Sequence, residues 1–287
     1  WGSSDIHAVG DRVNSSGILY QRLWQPLCQA VFNTNANDAS ATLLWKFIRM
    51  SFLRGEPACR PWVFTDTLSK VLVDPALKFL KSKNVEVKFK TAIKKLQVEG
   101  QLLTSLKFER NDLSLRLGDL VVLAVPPKIA KKLHSEIKVP GEFNPIVNIH
   151  FKLNKTPFER ENSRFIGLIG SKAHWVFFRE DVLSVTVSDA TQLSLMDNKE
   201  IGKEIWAEIQ EIFQLKYKAV PPFRVIKERE ATISQTPSAL ANRPGLITNI
   251  RNLFVIGDWT QTGLPATIEG SIQSGRQAAG LIAETYR

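Results

Sequence analysis

Apolar positions in the first 55 residues recur at helical spacing. Leu23, Trp24, Leu27 and Val31 share one face, and Pro26 interrupts or kinks that helix. Asp38 stands where an N-cap would open a second helix through Leu43, Leu44, Phe47, Ile48 and Phe52, with Gly55 past its end. Asp74-Pro75 sets a cap ahead of a proline at the first helical position. This predicts a short helix to Lys83, closed by Asn84 in the left-handed conformation. The period then drops to two. Val85, Val87 and Phe89 alternate with Glu86, Lys88 and Lys90, which predicts a half-buried strand running to Ile93. Strands are also predicted near 102–109 and 113–117. The continuous apolar run over 119–125 predicts a strand covered on both faces. Pro126-Pro127 stops it ahead of a basic helical stretch, 128–133.

From Pro145 the pattern is again β. Val147, Ile149, Phe151 and Leu153 alternate, and short strands recur near 164–169, 174–178 and 182–187, which suggests an antiparallel sheet. Asp197 and Glu200 form a capping box for a helix whose apolar face uses Ile201, Ile205, Ile209, Ile212 and Phe213. A strand near 223–229 leads into a polar, proline-containing loop, 234–245. The chain closes with a strand over 252–256, Gly257-Asp258, a loop, and a helix from about Ala266.

Composition narrows the class more than the function. With 44% hydrophobic and 23% charged residues, the 287-residue chain can bury a core, which excludes disorder, collagen and coiled coil. No apolar run approaches the ~18–20 residues of a membrane helix. Cys28 and Cys59 are too few for a disulfide framework or a cysteine-rich zinc site. The first residue is Trp1 and the only methionines are Met50 and Met196, so a processed protein, a fragment and an incomplete gene model are the expectations. The net charge of +10 is local: residues 71–140 carry +7 of it, and 78–95 hold seven lysines against Glu86 alone. Such a stripe attracts nucleic acid or an anionic membrane surface, or is simply a solvated face. Nucleic acid is not expected, because Phe89 is the only aromatic interleaved with the lysines of the strand, and its alternation turns it away from them.

Most catalytic motifs are missing. His7, His134, His150 and His174 show no metal-ligand spacing, so no metal is expected. No G-x-S-x-G or G-x-x-x-x-G-K-[ST] pattern occurs, and the sixteen glycines never fall as G-x-G. The C-terminal segment is different. An apolar strand ends in Gly257-Asp258, and a helix with small residues follows. Glycine at a strand end lets backbone approach a ligand. The Asp258 carboxylate can accept hydrogen bonds from hydroxyls, and a helix N-terminus offers free N–H groups to an electron-rich edge. The same residues also make an ordinary strand–loop–helix connection with Asp258 as a cap.

The string GDWTQTGLPATIEGSIQSGRQAA from Gly257 resembles the closing flavin motif of the FAD-dependent amine oxidase and phytoene desaturase superfamily. It is most similar to the squalene-associated branch, the hydroxysqualene dehydroxylases. RLWQPLCQAVFNT at 22–34, LVVLAVPP at 120–127 and EREATISQTPSALANRPG ending at Gly245 agree with it, so the resemblance runs from about Arg22 to Arg287.

The resemblance implies an α/β fold of mixed α+β character, an incomplete FAD/NAD(P)-binding Rossmann-like domain with an antiparallel-sheet plus helical substrate domain. Residues 1–70 would be the helical part of the substrate domain, and 71–127 the β-meander and return strand of the FAD domain. Residues 128–233 would be the rest of the substrate domain, and 234–287 the C-terminal FAD-binding segment. The implied cofactor is FAD and the implied reaction the reductive dehydroxylation of hydroxysqualene to squalene, the flavin supplying hydride. Asp258 would bind the ribityl or pyrophosphate part, and Gly257 would allow close approach. Ile268, preceded by Thr267, would face the pyrimidine edge of the ring with its backbone. Ile93 would meet the adenine side. Trp259, Thr262 and Pro265 would lie near the flavin and the substrate. Trp24, Trp45, Phe47, Phe151 and Trp175 are candidate walls of an apolar tunnel for a long-chain isoprenoid, or ordinary core. No catalytic side chain is named.

The family's opening G-x-G-x-x-G unit has no counterpart here, which implies weak or no FAD binding by the chain alone and leaves a non-catalytic remnant or basic membrane-binding module as an alternative. Carotenoid-type desaturation and amine oxidation are the alternatives within the superfamily. Thr267, where amine oxidases often carry an aromatic, argues against amines. The expected location is cytoplasmic, with peripheral attachment to the inner face of the membrane as the finer expectation.

Overall fold

The computed structural model describes residues 6–60, 63–64, 66–154 and 165–285. Along the chain, helices α1 (Gln25–Phe32), α2 (Ala41–Met50), α3 (Glu56–Cys59) and α4 (Asp74–Ser82) come first. Strands β1 (Lys95–Glu99), β2 (Leu102–Lys107), β3 (Asp112–Ser114) and β4 (Val121–Leu123) follow, then α5 (Pro127–Leu133). Next come β5 (Phe143–Lys152), β6 (Phe165–Gly167), β7 (Trp175–Arg179), β8 (Val182–Val187), α6 (Thr191–Leu195) and α7 (Asn198–Ile212). The chain ends with β9 (Phe223–Ile233), α8 (Pro237–Ala241), β10 (Leu253–Val255) and α9 (Ile268–Thr285). The fold is mixed α/β. It divides into two compact units, one of Trp1–Phe47, Lys138–Leu246 and Ile256–Arg287, the other of Ile48–Ile137 and Ile247–Val255.

The first unit is built on an antiparallel sheet of order β6-β7-β8-β5-β9. Its core follows the predicted alternation: Val147, Ile149, Phe151 and Leu153 all face inward. They pack with Val176, Leu183 and Val185 against Ile201, Ile205, Trp206 and Ile209 of α7. The opposite face of β5 is polar and paired across the strands, Thr186 donating to Asn148 at 2.7 Å and His150 Nδ1 lying 2.8 Å from Ser184 Oγ. Pro145 has no N–H for the ladder, and the β5–β9 register shifts there, between Asn144 and Ile146. Asp197 caps α7 by accepting from the Lys199 amide. Ile212 is exposed, and Trp206, absent from the expected apolar face, is buried. Arg164, the first residue of one predicted strand, lies outside the described residues; its neighbours form β6.

Pro26 of α1 and Pro75 of α4 are each preceded by a π-turn, 20–24 and 69–73. A proline lacks the N–H of the helical ladder and its ring crowds the carbonyl four residues back, and a widened turn relieves both. Asp74 is therefore already helical and caps nothing. Asn84 is left-handed after the helix, as expected. The second helix begins later than predicted and is capped by Ser40, not Asp38. Backbone bonds from Val9 to Ala39 and from Ser40 to the Gln235 carbonyl hold 39–40 extended.

The second unit holds a β1-β2-β3 meander and a parallel β4–β10 pair. The buried Asn252 side chain ties them, accepting from the Leu103 amide at 2.8 Å and donating to the Leu103 carbonyl at 2.9 Å. β1 was not foreseen, because its Leu96/Val98 alternation is only two apolar residues long. Two strand expectations fail here. The alternating stretch 85–89 pairs with no strand among the described residues, and Val85, Val87 and Phe89 are 47%, 41% and 69% exposed. Without a ladder, alternation alone makes no strand. The run over 119–125 is strand only over Val121–Leu123 and pairs only with β10, so Val122 remains exposed. Among the described residues no helix is long and apolar enough to cross a membrane.

Burial lowers the pKa of both His174 and His150, opposed at His174 by Glu208 and helped at His150 by Arg224. A histidine held below its ordinary value of about 6.5 takes its proton first in the unfolded chain. That stability is complete above this pH and is lost as pH falls through the folded values. Melting temperature should therefore decline from pH 6.5 to 5, and H174Q should flatten the decline. A melting temperature constant over this window would contradict it.

Candidate functional site

The C-terminal site belongs wholly to the first unit. Gly257 follows β10 with φ +143°, a conformation side chains rarely adopt, and a Cβ there would lie 2.6 Å from the Trp259 indole nitrogen. Its amide donates to Ser274 Oγ at 2.9 Å, and its carbonyl accepts from the Thr260 amide and hydroxyl. Gly257 and helix α9 are thereby tied together. Trp259 is buried against Gly257, Pro265 is buried, and Thr262 is half-buried, its hydroxyl accepting from the Leu264 amide at 3.1 Å.

Thr267 is the cap of α9, its Oγ1 accepting from the Gly270 amide at 3.2 Å. Ile268 and Glu269 open the helix, exposed, with no intrahelical acceptor for their amides. A Cβ on Gly270 would lie 2.6 Å from the Pro265 carbonyl oxygen, so the loop folds directly onto the first helical turn.

Asp258 is half-buried. Burial pushes its carboxyl above the usual range, against the pull of the Arg243 guanidinium and of hydrogen bonds from its own and the Trp259 amide. Arg243 is 3% exposed and its pKa is brought down to about 10 by burial, with Asp258 opposing. It stays cationic at neutral pH. One guanidinium nitrogen donates to the Leu264 carbonyl at 2.7 Å and another to Gln235 Oε1 at 3.3 Å, while Nε has no partner among the described residues. Gln235 is fully buried, its Oε1 also accepting from the Ala266 amide at 2.9 Å and its Nε2 donating to the Phe32 carbonyl at 2.7 Å.

Sequence reasoning quoted the stretch holding Gln235 and Arg243 but gave neither a role. Glutamine and arginine are residue types that mostly stand exposed, so nothing in that polar loop signals their burial. Asn33 was missed likewise. It caps α1 in the left-handed conformation, donates to the Asn144 carbonyl and Thr232, and accepts from the Asp189 amide at 2.6 Å.

Ile93 lies in the second unit, half-buried and outside any strand. Its neighbours Lys90, Thr91, Ala92 and Lys94 line a polar cavity of about 340 Å³ with Arg110 and Asn111. In the first unit two cavities of about 480 and 180 Å³ share Gln29 and His174. Asp189 and Met196 line the larger, Arg22 and Trp175 the smaller. Phe151 is core, packed on Trp206 and Phe223, while Trp24, Trp45 and Phe47 are half-buried. Among the described residues no His, Cys, Asp and Glu side chains cluster as a metal site.

The residues fit a flavin. A desolvated carboxyl stands at a strand end without a Cβ, beside a helix N-terminus with free amides and a buried cation that the protein satisfies incompletely. Replacing Gly270 with alanine tests the packing behind this arrangement. In an open helix the change would stabilise by about 0.5–1 kcal/mol. Here the new methyl meets backbone, and overpacking costs about 1–3 kcal/mol. The urea midpoint of G270A should fall; a rise would show that loop and helix are not in tight contact.

The family model described as flavin containing amine oxidoreductase matches residues 3–283. The chain is 38% identical to a hydroxysqualene dehydroxylase of Sinorhizobium fredii over 98% of its own length and 66% of the relative's. It is 40% identical to that of Rhodopseudomonas palustris (96% and 65%) and 35% to that of Zymomonas mobilis (95% and 65%). It thus spans just under two thirds of these relatives. An oxidoreductase from Methanosarcina mazei has the same fold at a TM-score of 0.70 and 12% identity, covering 96% of this chain and 68% of that one. A putative protoporphyrinogen oxidase from Exiguobacterium gives 0.65 and 10%, covering 96% and 66%. Sequence match and site geometry agree: the chain belongs to the flavin containing amine oxidoreductase family.

Proposed function

We propose that this chain provides the flavin-ring end of an FAD-dependent hydroxysqualene dehydroxylase, acting on a long-chain isoprenoid alcohol. The observation that carries this reading is the 35–40% identity to three hydroxysqualene dehydroxylases over nearly the whole chain. FAD, when bound, supplies the hydride that replaces the substrate hydroxyl. Asp258 would accept hydrogen bonds from the ribityl chain, and Gly257 would admit it closely. The free amides at Ile268 and Glu269 would meet the electron-rich ring edge and favour negative charge on it. Thr267 would take no part in substrate contact; its hydroxyl is committed to capping α9. Ile93 would lie toward the adenine part.

The partner reading is an anionic lipid surface on the inner face of the membrane, from which a C30 substrate would be drawn. The lysines of 78–95 are all exposed, and exposed Phe79 and Phe89 stand among them. Lysines draw a chain to anionic headgroups at about 1 kcal/mol each, and aromatics add apolar anchorage.

Two measurements test these readings. The chain, incubated at saturating FAD with hydroxysqualene and dithionite, or with phytoene and a quinone as oxidant in place of dithionite, should form squalene from the first. Desaturated phytoene without squalene would establish the second reading, favoured only by 24% identity to a phytoene desaturase of Oncidium. The chain should sediment with phosphatidylserine-containing vesicles and not with neutral ones. Equal binding to both would remove the electrostatic argument.

A further inference from the structure

Burying a guanidinium is expensive, and an apolar side chain of similar volume would fill the same space at lower cost. Arg243 is nevertheless 3% exposed, and its Nε is left without a partner among the described residues, an unfavourable desolvation that the protein tolerates. Its position shows what is gained. Its planar fork reaches two acceptors at once, the Leu264 carbonyl and Gln235 Oε1. Gln235 in turn holds the Ala266 amide. These two side chains therefore grip both ends of the 264–266 loop, whose middle residue, Pro265, presses its carbonyl on Gly270 in the first turn of α9. The same guanidinium is the cation that acts on the Asp258 carboxyl through space, with no direct hydrogen bond between them. Lys46 is the other cation near this loop, its ammonium lying against Gly263.

We propose that Arg243 is the positioning residue of the flavin-ring end: with Gln235 it clamps 264–266 and so fixes the N-terminus of α9 and the Asp258 carboxyl that together receive the flavin. This rests on the flavin reading above. Arg243 touches no reacting atom in this account and works through the loop and the carboxyl. A lysine keeps the charge but loses the two-pronged grip; a methionine loses both.

The experiment compares the chain with R243M and R243K in two ways. Amide hydrogen exchange, read by mass spectrometry without added cofactor, reports the clamp. Peptides covering 264–271 should exchange at least tenfold faster in R243M, since the bonds lost there run to a charged donor. In R243K they should fall between, and α7 peptides (198–212) should be unchanged, which separates a local release from global loss of stability. Quenching of FAD fluorescence reports the flavin: apparent affinity should weaken about tenfold in R243M and be partly rescued in R243K. Should R243M fail to fold, R243K decides by the same two readings. Unchanged exchange at 264–271 would overturn the clamp and leave the flavin reading intact. Faster exchange with unchanged FAD affinity would overturn the positioning role. Because the missing G-x-G-x-x-G unit implies weak binding, the titration runs to millimolar FAD; a wild-type chain that shows no quenching even there would instead overturn the flavin reading, with the exchange data still judging the clamp.

Discussion

A fully buried amide must find partners for its oxygen and its nitrogen inside the protein, and Gln235 meets that demand with contacts that organise the C-terminal site. Its nitrogen takes the Phe32 carbonyl at the end of α1, and its oxygen takes the Ala266 amide and one arm of Arg243. Leaving either end unsatisfied would cost a desolvation penalty of about 1–3 kcal/mol, so the loop before α9 and the end of α1 have one favourable arrangement. The backbone carbonyl of Gln235 adds a fourth constraint by accepting from Ser40, where α2 is capped. Site geometry in this unit is thus a consequence of polar bookkeeping in a dry interior.

Asn33 plays the corresponding part beside the sheet. It sits in the left-handed conformation, where asparagine is tolerated better than most residues, and its side chain bonds three separate segments. The start of β5, the end of β9 and the turn after β8 all converge on it. Gln235 bonds the carbonyl of the preceding residue, so the two buried amides are neighbours that brace adjoining parts of the same unit.

Periodicity made the sheet and α7 legible. Each inward residue of β5 answers a position that strict alternation marks, because one face of that strand is core and the other is polar. Helix starts were less legible. Asp38 and Ser40 are both competent caps, and only bonds from distant segments choose between them. Pairing partners were not legible at all, which is why 85–89 alternates without forming a ladder. The site divides in the same way. Gly257, Asp258 and the start of α9 stand together in one short string. Gln235 and Arg243 reach them across the fold, and the Gln235–Phe32 bond joins residues 203 apart, a separation that leaves no trace in local pattern.

The unpaired stretch 85–89 carries a consequence for the chain's behaviour at high concentration. An exposed run of alternating apolar residues is a template for intermolecular strand addition, the first step towards insoluble assemblies. Here Lys88 and Lys90 interleave with Val87 and Phe89, and Lys81, Lys83 and Lys94 flank them. Two copies docking edge to edge would bring these ammonium groups into register against one another. Interleaved charge of this kind opposes the edge-to-edge pairing that an exposed alternating segment otherwise invites.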